Sequence, residues 1–430
     1  MTDTATAASS TYTRETQEAV DSLPLEQIDV SNARLYGDDT WRPYFARLRR
    51  EDPVHYCPDS ASGPFWSITR HADIMAVDTN HEVFSSEAKG ISIADVEREE
   101  NALELENFIA MDEPRHGQQR SVVSPSVAPR NLANMESLIR DNVNDILDGL
   151  PVGTTFDWVD HVAVELTARM LAVLFDFPMQ DRRKLIRWSD ITTANEQLMG
   201  EDAPISNEDR LRELGECVVA FTELWNRRKA QPEPGFDLVS MLANGEATKN
   251  MADNPAEFLG NLLLLIVGGN DTTRNTISGG VLALNEFPDQ YDLLRGRVEL
   301  IPNMVSEMVR WQTSVIHMRR TALVDAELGG KTISAGDKVV MWYLSGNRDE
   351  SKFDNPDKLI IDRKNARQHV AFGFGVHRCM GNRLAEIQLR VLWEEIMQRY
   401  QMVEVTGPVV RSPNNFIRGI AELPVQLHAL

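Results

Sequence analysis

The residues with the clearest chemical potential lie in a glycine-rich decapeptide at positions 372–381, which reads Phe-Gly-Phe-Gly-Val-His-Arg-Cys-Met-Gly. It contains Cys379, one of only three cysteines in the 430-residue chain. Its glycines let the backbone adopt positive φ angles and approach a flat ligand closely. A helical pattern starts at Asn382, so the free N–H groups of a helix N-terminus should face Cys379 and lower the pKa of its thiol. The segment predicts an environment suited to a thiolate.

Two other interpretations of Cys379 are open on these residues alone. The simplest is a buried structural cysteine in a glycine-rich turn, because free cysteines are among the most buried residues. The second is a catalytic thiolate activated by His377, as in thiol hydrolases. Side chains two residues apart on a loop tend to diverge, however, and no Asn/Asp-His context accompanies them.

A second candidate site lies within a long predicted helix at residues 254–287, which begins with a capping asparagine, a proline and an early acid. Its centre is apolar on all sides and therefore buried. The next segment, Gly268-Gly-Asn-Asp-Thr-Thr273, is unfavourable for stability alone, since each interior glycine costs about 1 kcal/mol relative to alanine. Such local violations are expected where function resides. The glycines leave space beside the helix, and the Thr272 hydroxyl can bond the Gly268 carbonyl. The alternative is a kink packed against small neighbours.

A third feature is Glu307-Met-Val-Arg310, which places an acid and a base one helical turn apart, where they can pair. Together, in this order and spacing, the three segments resemble motifs of the cytochrome P450 family: its haem-binding loop, its distal helix and its Glu-x-x-Arg pair. The resemblance extends from about residue 40 to the C-terminus. It implies the mainly α-helical cytochrome P450 fold with a smaller β portion, haem b as cofactor, and a monooxygenase that inserts one oxygen atom of O₂ into a C–H bond.

The resemblance also implies roles for individual residues. Cys379 would be the iron ligand and Asp271 and Thr272 the proton-delivering residues, while Glu307 and Arg310 would be structural, joined by either Arg363 or Arg367. The cofactor-binding residues implied are Gly268 and Gly269 beside the oxygen groove, His116, Arg120, Arg320 and His377 at the propionates, and Phe372, Gly375 and Gly381 in the cysteine loop.

The segments that line the substrate pocket in the family supply almost no charge here, which predicts an apolar substrate. The predicted lining residues are Ile91, Ile93, Phe108, Met111, Leu198, Leu264, Val267, Gly268, Ile316, Met318, Phe416 and Ile417. More specifically, residues 63–69, 267–275 and 317–322 resemble bacterial members that hydroxylate medium-chain alkanes and fatty acids at the terminal carbon. We therefore expect that reaction, with a terpene or steroid as the alternative substrate. A haem-thiolate sensor or a thiol hydrolase is the alternative class.

Composition limits the partners. The net charge of −21 argues against nucleic acid or an anionic membrane, and three distant cysteines suggest neither a disulfide framework nor a zinc site. The chain shows no flavin domain and no iron–sulfur cysteine set, so the resemblance implies electrons from a [2Fe–2S] ferredoxin and its reductase, docking near Arg378 and Arg383. No signal peptide is evident, and the longest apolar run is far shorter than the roughly 20 residues of a membrane span.

The elements that must position these residues follow from periodicity, caps and turns. Helices are predicted at residues 41–50, 72–78, 132–147, 158–175, 206–228, 254–287 and 382–400. Strands are predicted at residues 54–56 and 65–69 and within 323–344 and 403–430. We expect a flexible tail at residues 1–23, a single domain at residues 24–430, and a monomer in the cytoplasm.

Overall fold

A computed structural model of the protein describes residues 14–95, 105–194, 196–199 and 205–430. The helices in these residues are α1 (Arg14–Ser22), α2 (Arg34–Gly37), α3 (Arg42–Glu51), α4 (His71–Thr79), α5 (Arg115–Val123), α6 (Pro129–Asp148), α7 (Glu165–Phe175), α8 (Arg182–Thr193), α9 (Glu196–Met199), α10 (Asn207–Lys229), α11 (Leu238–Asn244), α12 (Pro255–Glu286), α13 (Pro288–Gly296), α14 (Ile301–Gln312), α15 (Tyr343–Gly346) and α16 (Asn382–Arg399). A π-helical segment, Val159–Val164, leads into α7. Each helix predicted from the sequence is confirmed, to within a few residues at its ends.

The strands in the described ranges are β1 (Val54–Cys57), β2 (Phe65–Ile68), β3 (Phe84–Ser85), β4 (Phe156–Asp157), β5 (Met318–Ala322), β6 (Ala326–Leu328), β7 (Lys331–Ile333), β8 (Lys338–Met341), β9 (Tyr400–Val405), β10 (Val410–Arg411), β11 (Ile420–Glu422) and β12 (Pro424–Ala429). The largest sheet has the order β1-β2-β8-β5-β3, in which only β2 and β8 run parallel. The smaller sheets are β4-β12-β9, β10-β11 and β6-β7. The mainly α-helical fold with a smaller β portion is confirmed.

Helix α12 is the central element of the fold. Its cap residue Asn254 accepts a hydrogen bond from the backbone N–H of Ala256 at 3.2 Å, which satisfies a free donor of the first turn. The 32 residues of α12 span ~48 Å. The helix packs against α7, α8 and α14. Most of its residues are buried, and ten of them belong to the largest apolar cluster. Two smaller apolar clusters underlie the five-stranded sheet.

The N-terminal region differs from its prediction. Residues 14–22 form α1, and Val20 has no exposed surface. The buried Arg47 in α3 donates hydrogen bonds to the carbonyls of Val20 and Leu23, at 2.5 and 2.6 Å. The apolar contact and these bonds hold α1 on α3, so this half of the predicted tail is an ordered helix. Residues 1–13 lie outside the described residues.

The described helices include none that is both long enough and apolar enough to cross a lipid bilayer.

Candidate active site

The central helix has an open stretch near its middle. Leu264, Val267, Gly268 and Thr272 are accessible, whereas most of α12 is buried. Positions 264, 268 and 272 are four residues apart and share one face of the helix. A Cβ atom in place of the Gly268 hydrogen would meet no neighbouring side chain or segment within 4 Å. At this face α12 therefore borders open space, in agreement with the expectation for Gly268.

Gly269 faces elsewhere. A Cβ atom at this position would lie 2.8 Å from Cδ2 of Leu171 in α7, which is too close for ordinary packing. The glycine therefore allows α12 and α7 to approach each other. This differs from the expectation that both glycines border the oxygen groove, because successive helix positions point about 100° apart.

Thr272 lies beside the open face, and its hydroxyl donates a hydrogen bond to the Gly268 carbonyl at 3.0 Å. This predicted bond is confirmed. The Thr272 carbonyl in turn accepts hydrogen bonds from two hydroxyls, Thr276 Oγ1 at 2.7 Å and Ser314 Oγ at 3.0 Å. The backbone at Thr272 is thereby held in place while its side chain remains partly accessible.

The Asp271 side chain is buried and turns towards α8. Its Oδ1 accepts from Arg274 Nη2 and from Asn270 Nδ2, both at 2.8 Å. Thr193 Oγ1 lies 3.5 Å from Oδ2. Arg274 also pairs through Nη1 with Asp190 at 2.8 Å, and the Asp190 side chain is 49% exposed. One guanidinium thus connects a buried carboxyl with a carboxyl at the surface.

Burial raises the pKa of Asp271 to about 6, with a smaller contribution from Asp190 and with Arg274 opposing the shift. An acid with this pKa can both hold and release a proton near neutral pH. Arg274 and Asp190 were not predicted as site residues from the sequence. Arg274 follows Asp271 at the same three-residue spacing as Arg310 follows Glu307, so it was detectable. Asp190 comes from another helix, and no sequence pattern joins it to Asp271.

The cysteine loop precedes α16, with Cys379 three residues before the helix. The Cys379 N–H donates to the Phe372 carbonyl at 2.8 Å, which closes the loop. Gly375 has a φ of 65°, and a Cβ atom there would lie 2.2 Å from the Asp78 carbonyl oxygen. Only glycine fits this turn and this approach.

The Cys379 thiol differs from its expected state. Its side chain has accessible surface, yet desolvation by the surrounding protein atoms raises the pKa of the thiol. The N–H groups of Gly381 and Asn382 and the charges of Arg120 and Arg378 act in the opposite direction and do not outweigh it. The helix N-terminus thus acts in the predicted direction, but burial outweighs it and the net shift of the thiol pKa is upward. A metal cation bound at Cys379 would stabilise the thiolate.

Basic side chains gather beside the same loop. The pKa of His377 is strongly lowered, first by burial and then by the charges of Arg320, His116 and Arg120. His377 Nε2 lies 3.1 Å from Ser86 Oγ, whereas its Nδ1 is buried without a hydrogen-bond partner in the described part of the chain. Arg320 pairs with Asp78 at 3.0 Å. The cluster contains an unused polar atom and several positive charges, which suits carboxylates.

His116 lies within this cluster, with its ring centroid 4.1 Å from that of His377. Its Nδ1 is 2.7 Å from the Phe108 carbonyl and its Nε2 is 3.2 Å from the Val376 carbonyl. Both ring nitrogens therefore face the backbone. His116 thus connects the segment at Phe108 with the cysteine loop. Its contact with a haem propionate stays a prediction.

The residues present fit haem b. Cys379 offers an accessible sulfur, the soft anionic ligand that iron accepts in this class. The cluster of Arg120, Arg320 and His377 offers donors for the two propionates, and the open face of α12 offers space at Gly268.

Glu307 and Arg310 form a closed charge network, and neither side chain has exposed surface. The two Glu307 oxygens accept from Nη2 and Nε of Arg310, both at 2.7 Å, and from Nε of Arg363, at 3.0 Å. Arg363 is thus the downstream arginine, whereas Arg367 is exposed. Of the two candidates, the structure selects Arg363.

Half of the predicted pocket residues are accessible and half are buried. The accessible ones are Ile91, Leu264, Val267, Gly268, Met318 and Phe416. The buried ones are Ile93, Phe108, Met111, Leu198, Ile316 and Ile417.

Ile93 and Ile316 have no exposed surface and belong to the apolar cluster that contains Trp41 and Trp342. The structure therefore places them behind the pocket wall, which corrects their predicted position. Neighbouring side chains in extended backbone point to opposite sides. Val315, which was not predicted as a pocket residue, is more accessible than Ile316.

Comparison with known proteins supports the same class. A profile of the cytochrome P450 family matches residues 221–427. The chain is 39% identical to the linalool 8-monooxygenase of Pseudomonas putida, over 94% of this chain and 99% of that protein. It is 31% identical to the methyl-branched lipid omega-hydroxylase of Mycobacterium bovis, over 94% and 95%. The solved structure of cytochrome P450-153 from Novosphingobium aromaticivorans is 47% identical, with a TM-score of 0.87 over 93% of this chain and 99% of that one.

The fold and the cysteine site define a haem-thiolate enzyme. The chain belongs to the cytochrome P450 family, binds haem b and is a monooxygenase. The predictions of family, fold, cofactor and enzyme class are confirmed.

Proposed function

We propose that this cytochrome P450 hydroxylates medium-chain alkanes or fatty acids at the terminal carbon. The observation that carries the proposal is the apolar character of the open face, which includes Leu264, Val267 and Gly268 on α12. Ile91, Met318 and Phe416, which are predicted to line the same pocket, are apolar and partly accessible. A site without charge binds a hydrocarbon through buried surface, at about 0.8 kcal/mol per methylene.

The names of two relatives support oxidation at a chain end. Omega denotes the last carbon of a chain, and carbon 8 of linalool is a chain-end methyl group. Because a terminal C–H bond is stronger than an internal one, the cavity must present the chain end and exclude the neighbouring carbons. The linalool enzyme favours a terpene as the second candidate substrate.

Haem b, when bound, supplies the iron chemistry that activates O₂. In the proposal Cys379 holds the cofactor, and Arg120, Arg320 and His377 bind its propionates. Asp271 stores a proton beside Thr272, whose hydroxyl borders the open face. The pairing of Arg274 with both Asp271 and Asp190 connects this acid to the surface.

A [2Fe–2S] ferredoxin and its reductase are the proposed electron donors. Arg378 and Arg383 are exposed next to the cysteine loop. Burial raises the pKa of the neighbouring Glu386, against the effects of Arg367, Arg378 and Arg383. Three guanidinium groups therefore share one face of a strongly acidic protein, which would orient an acidic partner. The proposal treats residues 24–430 as one domain that acts as a monomer.

The test is turnover of octane by the holoenzyme with a ferredoxin, its reductase and NADH. We expect 1-octanol as the main product, and a change of iron spin state when octane or a fatty acid binds. Linalool serves as the competing substrate in a parallel incubation. If linalool gives a spin-state change and a product, and no linear chain gives either, the substrate is a terpene and the proposal is wrong.

A further inference from the structure

A buried histidine connects the loops around the open face. His317 has no exposed surface. Its Nε2 lies 3.2 Å from the Ile93 N–H group, and its Nδ1 lies 2.9 Å from the Asn415 carbonyl. An N–H group only donates, so Nε2 accepts, and the single proton of the neutral ring resides on Nδ1. One imidazole thus joins the segment at Ile93, its own segment and the segment at Asn415.

The surroundings keep this ring neutral and fixed. Burial lowers the pKa of His317 to about 4, so that the acceptor at Nε2 is available at neutral pH. The ring centroid lies 5.0 Å from that of Trp342 and 5.4 Å from that of Phe416. Phe416 is partly accessible and is a proposed pocket residue. The histidine therefore lies directly behind the wall.

Asn414 organises the same loop. Its Oδ1 accepts from the N–H groups of Phe416 and Ile417, at 2.8 and 2.9 Å, and its Nδ2 donates to the Thr193 carbonyl at the end of α8, at 3.1 Å. The next residue, Asn415, donates its backbone N–H to the Leu198 carbonyl at 3.1 Å. The loop is thereby fastened to α8 and α9.

We propose that His317 and Asn414 are positioning residues that set the shape of the substrate cavity and thereby select the carbon that is oxidised. The residues at 91–93 and 412–417 lack regular helix or a continuous ladder. The carbonyls of Ile91 and Phe416 each accept one backbone hydrogen bond, from Arg319 at 2.8 Å and from Ile316 at 2.9 Å, and the side-chain hydrogen bonds of His317 and Asn414 add the remaining restraints on these segments. Without the imidazole, the Ile93 N–H and the Asn415 carbonyl are unpaired in a dry environment, and the two segments move apart to recover partners. The inference rests on the proposed function only in the choice of substrate.

The decisive variant is His317→Phe, which keeps an aromatic ring between Trp342 and Phe416 and removes both hydrogen bonds. We expect the ratio of terminal to subterminal alcohol from octane to fall at least threefold. Amide hydrogen exchange at Ile93 and residues 414–417 should accelerate about tenfold in the holoenzyme, the change expected for a loss of about 1.4 kcal/mol of local protection. Haem content and the thiolate signature of the CO complex should match the wild type.

Two further variants and one control complete the test. His317→Asn, whose amide can still donate to the Asn415 carbonyl, should restore part of the product ratio. Asn414→Asp keeps the acceptor for Phe416 and loses the donor to Thr193, so it should accelerate exchange in residues 414–417 and widen the product distribution less than His317→Phe does. The control is His55→Phe, which replaces another buried histidine, located in β1 and hydrogen-bonded to Asp52. This variant should change neither the product ratio nor the hydrogen exchange at Ile93 and residues 414–417.

Unchanged exchange and an unchanged product ratio in a folded His317→Phe holoenzyme would overturn the inference. Failure of the proposed function would look different, because wild-type enzyme would then form no 1-octanol. In that case the product ratio is measured with linalool as substrate. The hydrogen-exchange measurement needs no substrate and tests the role of His317 in the same way as before. If His317→Phe does not fold, His317→Asn must show the loss of protection at Ile93, and its absence would refute the inference.

Discussion

Two buried acidic residues of this protein, Glu307 and Asp271, each have an arginine three residues further along the same helix, but the charges around them differ. Glu307 receives two guanidinium groups, from Arg310 and Arg363, and no part of it reaches solvent. Asp271 shares its one arginine, Arg274, with the half-exposed Asp190. Burial raises the pKa of Asp271 to about 6.

The comparison shows that an acid–arginine spacing has no fixed meaning. Around Glu307 two guanidinium groups face one carboxylate, and the backbone N–H of Ile360 adds a further donor at 3.0 Å. Around Asp271 one guanidinium group, that of Arg274, pairs with two carboxyl groups, Asp271 and Asp190. A proton can therefore compete with Arg274 for the Asp271 carboxyl group. The first arrangement suits structural support and the second suits proton transfer.

The largest effect is expected at Cys379. Cys379→Ser should abolish product formation, and any haem that is retained should lose the thiolate signature of its CO complex, because a soft anionic ligand is removed. Cys217→Ser, at a buried cysteine in α10, is the control. The assignment fails if Cys379→Ser keeps the signature.

The next largest effect is expected at Glu307. Glu307→Gln keeps the shape and leaves Arg310 and Arg363 without a counter-charge in a dry interior, which should cost about 3–5 kcal/mol of folding free energy. Denaturant unfolding of the holoenzyme measures this, with haem content as a second readout. Asp271→Asn is the matched variant and should be destabilised far less, since Arg274 keeps Asp190. Equal losses in the two variants would remove the distinction between the pairs.

The pH dependence of stability should separate the pairs further. The folded protein binds a proton at Asp271 up to about pH 6, whereas an unfolded Asp releases it near pH 4. The free energy of unfolding should therefore fall as pH rises from about 4 to 6, by on the order of 1–3 kcal/mol. Asp271→Asn should lack this component, so the difference between the wild-type and variant curves isolates it. Parallel curves would mean that Asp271 is ionised throughout that range.

The smallest effect is expected at Thr272. Thr272→Ala removes the hydroxyl beside the open face, so we expect NADH and O₂ to be consumed with peroxide released and the yield of product per NADH several-fold lower. Thr276→Ala removes a hydroxyl one turn further on, which bonds the Thr272 carbonyl and is buried. If both variants lower the yield equally, backbone support and not proton delivery explains the role of Thr272.

Much of this protein was determined by local sequence. The cap at Asn254 and the stop at Pro288 define α12, and the glycines, Cys379 and the helix that follows define the cysteine loop, because each depends on residues within a turn or two. The Glu307–Arg310 pair was predictable from the sequence for the same reason. These contiguous motifs sufficed for the fold, the cofactor and the enzyme class.

The tertiary structure decided what depends on distant residues and on the direction in which a side chain points. It identified Arg363, and not Arg367, as the third member of the Glu307 network, and it directed Gly269 towards α7. It placed Ile93 and Ile316 in the apolar core behind the pocket wall. It also brought Asp190 to Arg274, the arginine that pairs with Asp271. It also made burial outweigh the helix N-terminus at Cys379, and it brought His317 between the Ile93 and Asn415 backbones. Periodicity reports which face of an element is buried, but the neighbour on that face and the water that it excludes are set only when segments far apart in the chain pack together.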